Sequence, residues 1–199
     1  EVQAMLVPVR RPVDGSRQVA ISAGKGGYVL GLNPLTGKLL WKTAVGIHRD
    51  GELPRLTGPT TILPGTFGGV LTPPASAGGV VYAAALNAPS TLEPDQTAYF
   101  GGKVGTMEGD VVAMSARTGK VVWDTRVPGD PTGGVTIVNN LVLTATYQGK
   151  VLALNRATGA VVWSYGGPGV VNGWMSVAGN EIYVPVGSPA QLVALRLTP

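Results

Sequence analysis

Apolar and polar positions alternate over short stretches along this chain, and each stretch ends in a small cluster of Asn, Pro, Thr or Gly. Gln18-Val-Ala-Ile-Ser22 and Tyr28-Val-Leu-Gly-Leu32 open the series, and Gly134-Val-Thr-Ile-Val138 and Glu181-Ile-Tyr-Val-Pro-Val186 continue it. Alternation of this kind predicts half-buried strands, and a continuous run such as Val80-Val-Tyr-Ala-Ala-Ala-Leu86 predicts a strand buried on both faces. Three stretches run into the same string, Thr-Gly-x-x-x-Trp: Thr36 to Trp41, Thr118 to Trp123 and Thr158 to Trp163. The Gly can take positive φ at little steric cost, so each string predicts two strands joined by a tight turn. Leu and Val in the second strand favour a packed, pleated surface. No segment predicts a helix.

Trp123 and Trp163 stand 40 positions apart, and Trp41 and Trp123 stand 82 apart. A period near 40 residues suits one four-stranded propeller blade. The sequence therefore predicts an all-β propeller with blades at about 5–46, 67–128, 133–166 and 170–199, the last stopping after three strands. One indole buries roughly 150–250 Å², so the three repeated tryptophans are expected to be wedges between neighbouring sheets. Two connections, 46–66 and 87–106, are long enough to be expected as lids or binding loops. Four blades could close alone, require the remainder of a larger ring, or associate with another copy. Bare sheet edges and faces invite association, and completion of a larger ring is the favoured reading.

Composition narrows the chemistry. The 199 residues include 30 Gly and 16 Pro, but 44% are hydrophobic and periodic, which argues for punctuation of strands over disorder. The net charge of +4 is scattered over residues such as Arg10, Arg11, Lys103, Arg117 and Lys150. No basic stripe interleaved with aromatics forms, so nucleic acid is not an expected partner. The absence of cysteine removes disulfides, Cys-ligated zinc, iron–sulfur clusters and c-type haem attachment from this segment. His48 is the single histidine and is expected to be an incidental surface residue. No apolar run reaches the length of a membrane span, and no signal peptide is visible.

The Thr-Gly-x-x-x-Trp repeats resemble the docking motif of quinoprotein propellers, eight-bladed enzymes that bind pyrroloquinoline quinone (PQQ). Further segments resemble the family in order: Arg17 to Leu32 around Lys25, Val80 to Asn87, Pro131-Thr-Gly-Gly134 onward, and Gly166 to Arg196. The likeness is to the carboxy-terminal half of the ring. Secreted actinobacterial-type proteins and polyvinyl-alcohol dehydrogenases stand nearer than methanol dehydrogenases.

The resemblance implies a bacterial, periplasmic or secreted oxidoreductase that passes hydride from a small alcohol to PQQ. It implies cofactor contacts at Lys25 (cation near the quinone oxygens), Asn87 (side-chain amide), and Gly133 and Gly134 (close backbone approach). Trp174 is a further candidate, either lining the central channel or packing between blades. The plainer alternatives are an ordinary turn lysine at Lys25 and a strand-end turn residue at Asn87. Thr132 stands where the family often has Trp. The family's catalytic Asp and its calcium-ligating Glu and Asn would fall before Glu1. No catalytic or metal residue is therefore assigned here, calcium would be held outside this chain, and this segment alone is not expected to oxidise alcohols. The implied partner is the remaining half of the propeller or another copy. The competing reading is a non-catalytic propeller of the same repeat, a protein-binding scaffold of the cell envelope.

Overall fold

The computed structural model describes residues 2–95 and 97–196, and among them there is no helix. The first sheet is an antiparallel meander of β1 (Met5–Val13), β2 (Ser16–Ala23), β3 (Tyr28–Leu32) and β4 (Leu39–Ala44). Next in the chain come β5 (Thr60–Ile62), β6 (Ala75–Ala77), β7 (Val80–Leu86), β8 (Ser90–Leu92), β9 (Ala98–Phe100), β10 (Glu108–Ser115) and β11 (Val121–Pro128). Strands β6, β7, β10 and β11 make the second sheet in that order. The third contains β12 (Thr136–Val138), β13 (Leu141–Ala145), β14 (Lys150–Asn155) and β15 (Val161–Gly166). The fourth has three strands, β16 (Ser176–Ala178), β17 (Glu181–Gly187) and β18 (Ala190–Arg196).

The two long connections are not bare loops. They pair with each other as a fifth, three-stranded sheet of order β5-β8-β9, with Thr61 opposite Thr91 and Thr91 opposite Tyr99. Strands of three residues carry too little periodicity to be visible in the sequence.

Three hydrophobic clusters join the four sheets in succession. Val19, Ile21 and Val29 of the first sheet meet Val81, Ala83, Val112 and Met114 of the second. Tyr82, Val111 and Trp123 meet Val142, Leu152 and Leu154. Leu143 and Val151 meet Ile182, Val184 and Val186.

The repeated Trp is built the same way twice. Each Thr-Gly turn has its Gly at positive φ (Gly37 +73°, Gly119 +70°, Gly159 +75°), and the register slips by one residue just before it. The slip sets each Trp opposite a small residue of its own sheet: Trp41 on Gly31, Trp123 on Ala113, Trp163 on Ala153. The other side of the indole meets the next sheet's turn. Trp41 Nε1 donates to Ala116 O (3.1 Å) and Thr43 Oγ1 to Gly119 O (2.8 Å). Trp123 Nε1 donates to Arg156 O (3.0 Å) and Thr125 Oγ1 to Gly159 O (2.8 Å).

The third copy departs from the expectation of a buried wedge. Trp123 is 8% exposed, but Trp163 is 41% exposed. The described part of the fourth sheet ends with β18, so it offers Trp163 no Thr-Gly turn. Tyr165 replaces the hydroxyl-bearing Thr of the other copies, and its ring lies parallel to the Trp163 indole with centroids 6.3 Å apart. A cavity of about 470 Å³ remains beside Trp163, walled by Leu141, Ala153, Ile182 and Leu195.

Candidate functional site

The candidate residues all fall on turns and connections at one rim of the stacked sheets. Lys25 sits at the exposed tip of the β2–β3 turn, closed by a hydrogen bond from Gly27 N to Gly24 O (3.0 Å). Its ammonium lies 5.7 Å from the centroid of the Phe67 ring, a cation–π arrangement. Phe67 in turn makes an edge contact with Phe100, at 5.3 Å between centroids. The insertion thus places two aromatic rings beside the lysine.

Gly69 ties this turn to Asn87. A Cβ on Gly69 would lie 2.3 Å from Lys25 O, and the glycine needs its φ of +75°. Gly69 also exchanges two backbone hydrogen bonds with Leu86, the residue before Asn87. Asn87 is 7% exposed and both ends of its amide are taken. Oδ1 accepts from Ile47 N (2.7 Å), and Nδ2 donates to Asp110 Oδ2 (2.7 Å). Asp110, also buried, accepts from Arg126 Nε at 2.8 Å, and Arg126 Nη1 reaches Glu108 Oε1 at 2.9 Å. The structure gives Asn87 the work of pinning the 46–47 corner to β10.

Gly133, Gly134 and Trp174 form one constellation. Gly133 N donates to Ala145 O (2.8 Å), and a Cβ there would meet Ala145 Cβ at 2.6 Å. Gly134 has φ +65°, and a Cβ on it would lie 2.6 Å from Trp174 Cδ1. The indole therefore rests on bare backbone while staying 54% exposed. Thr132 Oγ1 donates to Val171 O and Thr136 Oγ1 to Met175 O, both at 2.8 Å, and these bonds hold the Trp174 segment in place. Pro131 links the two groups of residues, since a Cβ on Gly109 would meet both Ala85 O (2.2 Å) and Pro131 Cγ (2.5 Å).

Two residues of this rim escaped the sequence reading. Asp130 is buried and accepts from Gly105 N (2.8 Å) and Met107 N (2.9 Å), which anchors the end of the insertion. An acid in a connection between strands gives no periodic signal. His48 is not an incidental surface residue: it is half-buried, its Nε2 is 2.9 Å from Gly27 O, and its ring packs 4.6 Å from that of Tyr28. Tyr28 OH donates to Glu52 Oε1 at 2.5 Å, and Lys42 lies 3.2 Å from the same carboxylate. The Tyr28 hydrogen bond, followed by that of Lys42, lowers the Glu52 pKa, and the same bond raises that of Tyr28.

Among the described residues no group of three His, Cys, Asp or Glu stands ready for a metal ion. A flat anionic cofactor is a better match to what the rim offers. Lys25 is an exposed cation and Trp174 presents an open indole face over glycine backbone. Asn87 does not add to that fit, because its amide is spent internally.

Residues 103–197 match the family model described as outer membrane protein assembly factor BamB. No curated protein sequence matches the chain significantly. Among solved structures the chain resembles quinohemoprotein alcohol dehydrogenase ADHIIG from Pseudomonas putida HK5, with TM-score 0.66 and 19% identity over 91% of this chain and 33% of that one. It resembles the quinohemoprotein alcohol dehydrogenase of Comamonas testosteroni (TM-score 0.67, 19% identity, 92% and 33% covered). A europium-containing methanol dehydrogenase gives TM-score 0.70 at 19% identity, covering 92% of this chain and 38% of that one. The chain thus spans about a third of the length of these enzymes. Fold and repeat together define the class, a β-propeller of quinoprotein type with about four blades. Within that class, the match to the family model rests on residues 103–197, just under half of the chain.

Proposed function

We propose that this chain forms the cofactor-facing rim of a quinoprotein dehydrogenase of alcohol or polyvinyl-alcohol type. The observation that carries this reading is the exposed Trp174 indole laid over Gly134, on the rim that also bears Lys25. PQQ would supply the redox chemistry as acceptor of a hydride from a small alcohol. Trp174 would stack on its flat face, Gly133 and Gly134 would let it approach the backbone, and Lys25 would balance its negative charge. The catalytic acid and the calcium ligands belong to residues beyond this chain, so turnover needs the completed propeller. A periplasmic or secreted setting follows from the same likeness; no helix of the described residues is long and apolar enough to cross a membrane.

A second reading, a protein-binding scaffold of the cell envelope, draws support from Asn87 and from the inserted sheet. Asn87 serves the fold, and Phe67 and Tyr99 are open to solvent.

The test is titration of the chain with PQQ, with and without calcium, following tryptophan fluorescence. The dehydrogenase reading expects saturable quenching that Trp174→Ala abolishes. Lys25→Ala should weaken it about tenfold, the worth of ~1.4 kcal/mol. Quenching absent in the wild type, or untouched by Trp174→Ala, leaves the scaffold reading standing.

A further inference from the structure

We infer that the inserted sheet gives the rim a wall for the apolar tail of the substrate. Phe67 and Phe100 flank the chain of an aliphatic alcohol whose hydroxyl end lies toward Lys25, so alcohols several carbons long are favoured over ethanol. The inference rests on the quinoprotein reading and adds a substrate class to it.

The chain contains two phenylalanines, and they touch each other. Single exposed rings are ordinary on protein surfaces, but this pair is mounted. Ser90 is fully buried and stands opposite Phe100 in the β8–β9 pair. Its Oγ accepts from Thr66 N at 3.0 Å, one residue before Phe67. Gly65 N donates to Ala88 O (2.7 Å) and Gly68 N to Gly65 O (2.9 Å), which closes the turn that carries Phe67. A Cβ on Gly65 would lie 2.3 Å from Ser90 Oγ, so the turn sits directly on the serine. Met107 extends the wall: a Cβ on Gly102 would lie 2.7 Å from Met107 Sδ and 3.2 Å from Phe100 Cζ. Buried Asp130 holds Met107 N at 2.9 Å. Rings fixed in this way lose little conformational freedom when a ligand settles on them, and Phe67 keeps 56% of its surface open for one.

The wall adjoins the cation. Lys25 Nζ lies 5.7 Å from the centre of the Phe67 ring, so a molecule whose polar end is near the ammonium has its next few atoms against that ring. Phe67, Phe100 and Met107 present carbon and sulfur, which reward methylenes over hydroxyls. Within the proposed function this favours a simple alcohol over polyvinyl alcohol, whose chain carries a hydroxyl on every second carbon.

The experiment uses the 199-residue chain made with isotope-labelled phenylalanine, whose magnetic resonance signals report on Phe67 and Phe100 alone. Straight-chain primary alcohols from ethanol to hexanol are titrated in, without and with saturating PQQ. Both rings should respond together, and Kd should fall about fourfold for each added methylene, the equivalent of ~0.8 kcal/mol. Phe67→Ala should flatten that dependence at the Phe100 signals, and Phe100→Ala at those of Phe67, with an unchanged β-type circular dichroism spectrum. The dependence should persist with PQQ bound, because tail and cofactor occupy separate surfaces. Quenching by PQQ together with rings that ignore the alcohols, or respond alike to ethanol and hexanol, would overturn the wall and leave the quinoprotein reading intact. Alcohols that compete with PQQ would also overturn it. Absence of PQQ quenching would sink that reading and the substrate assignment with it, whatever the rings do.

Discussion

Trp41 covers Gly119 so closely that a Cβ on the glycine would lie 2.6 Å from indole Cε3. The two residues are far apart in sequence and belong to different sheets. Their contact joins a turn that needs positive φ to an aromatic ring that needs a flat surface. Gly119→Ala should therefore cost more than the ~1–2 kcal/mol that a left-handed backbone imposes on a non-glycine residue. Gly37→Ala, in the corresponding turn of the first sheet with open space above it, should cost only that amount. Denaturant midpoints of the two variants would show the difference.

The three tryptophans should not weigh equally. Trp123→Ala removes a buried ring with two sheets around it and should lose about 3–5 kcal/mol. Trp163→Ala should lose about 1 kcal/mol or less, as its ring is already half in water. Equal losses in urea titrations would mean that the third seam is tighter than its geometry indicates.

Asp110→Ala should loosen a corner remote from its own strand. It strips Asn87 Nδ2 of its acceptor and leaves Arg126 without its buried partner. A cost of about 2–4 kcal/mol is expected from a broken buried polar pair, the half-exposed Arg126 tempering the upper end. Hydrogen exchange should speed up at Ile47 N, which bonds to Asn87, more than at strands of the third sheet.

The corner around Glu52 should respond to acid. Its folded pKa lies below the ordinary carboxyl value, so the contact contributes above the unfolded pKa and is lost as pH falls through the folded one. The effect on global stability should be small because Glu52 is exposed. Exchange protection in the 46–52 segment should drop at the acid end, and Glu52→Gln should remove that pH dependence.

Much of this architecture was legible because it repeats. Thr-Gly-x-x-x-Trp marks the turn, the outer strand and the docking ring at once, and three copies fix the spacing. What repetition did not report was the fate of its last copy. Trp163 carries the same string as Trp123, but its burial depends on a turn in another sheet. The inserted sheet was hidden by its three-residue strands, and Asp130 and His48 by lying in connections without a period. Lys25 and Trp174 stand exposed on the rim, whereas Asn87 proved to be a structural strut. A side-chain amide at a strand end looks alike in both roles until its partners are placed.

Every latch here points one way, from an outer strand to the turn of its successor. Such a tongue-and-groove order lets a gene gain or shed whole units, since a new unit brings a ring for the one after it and a turn for the one before. Rings of different size become accessible from one building block.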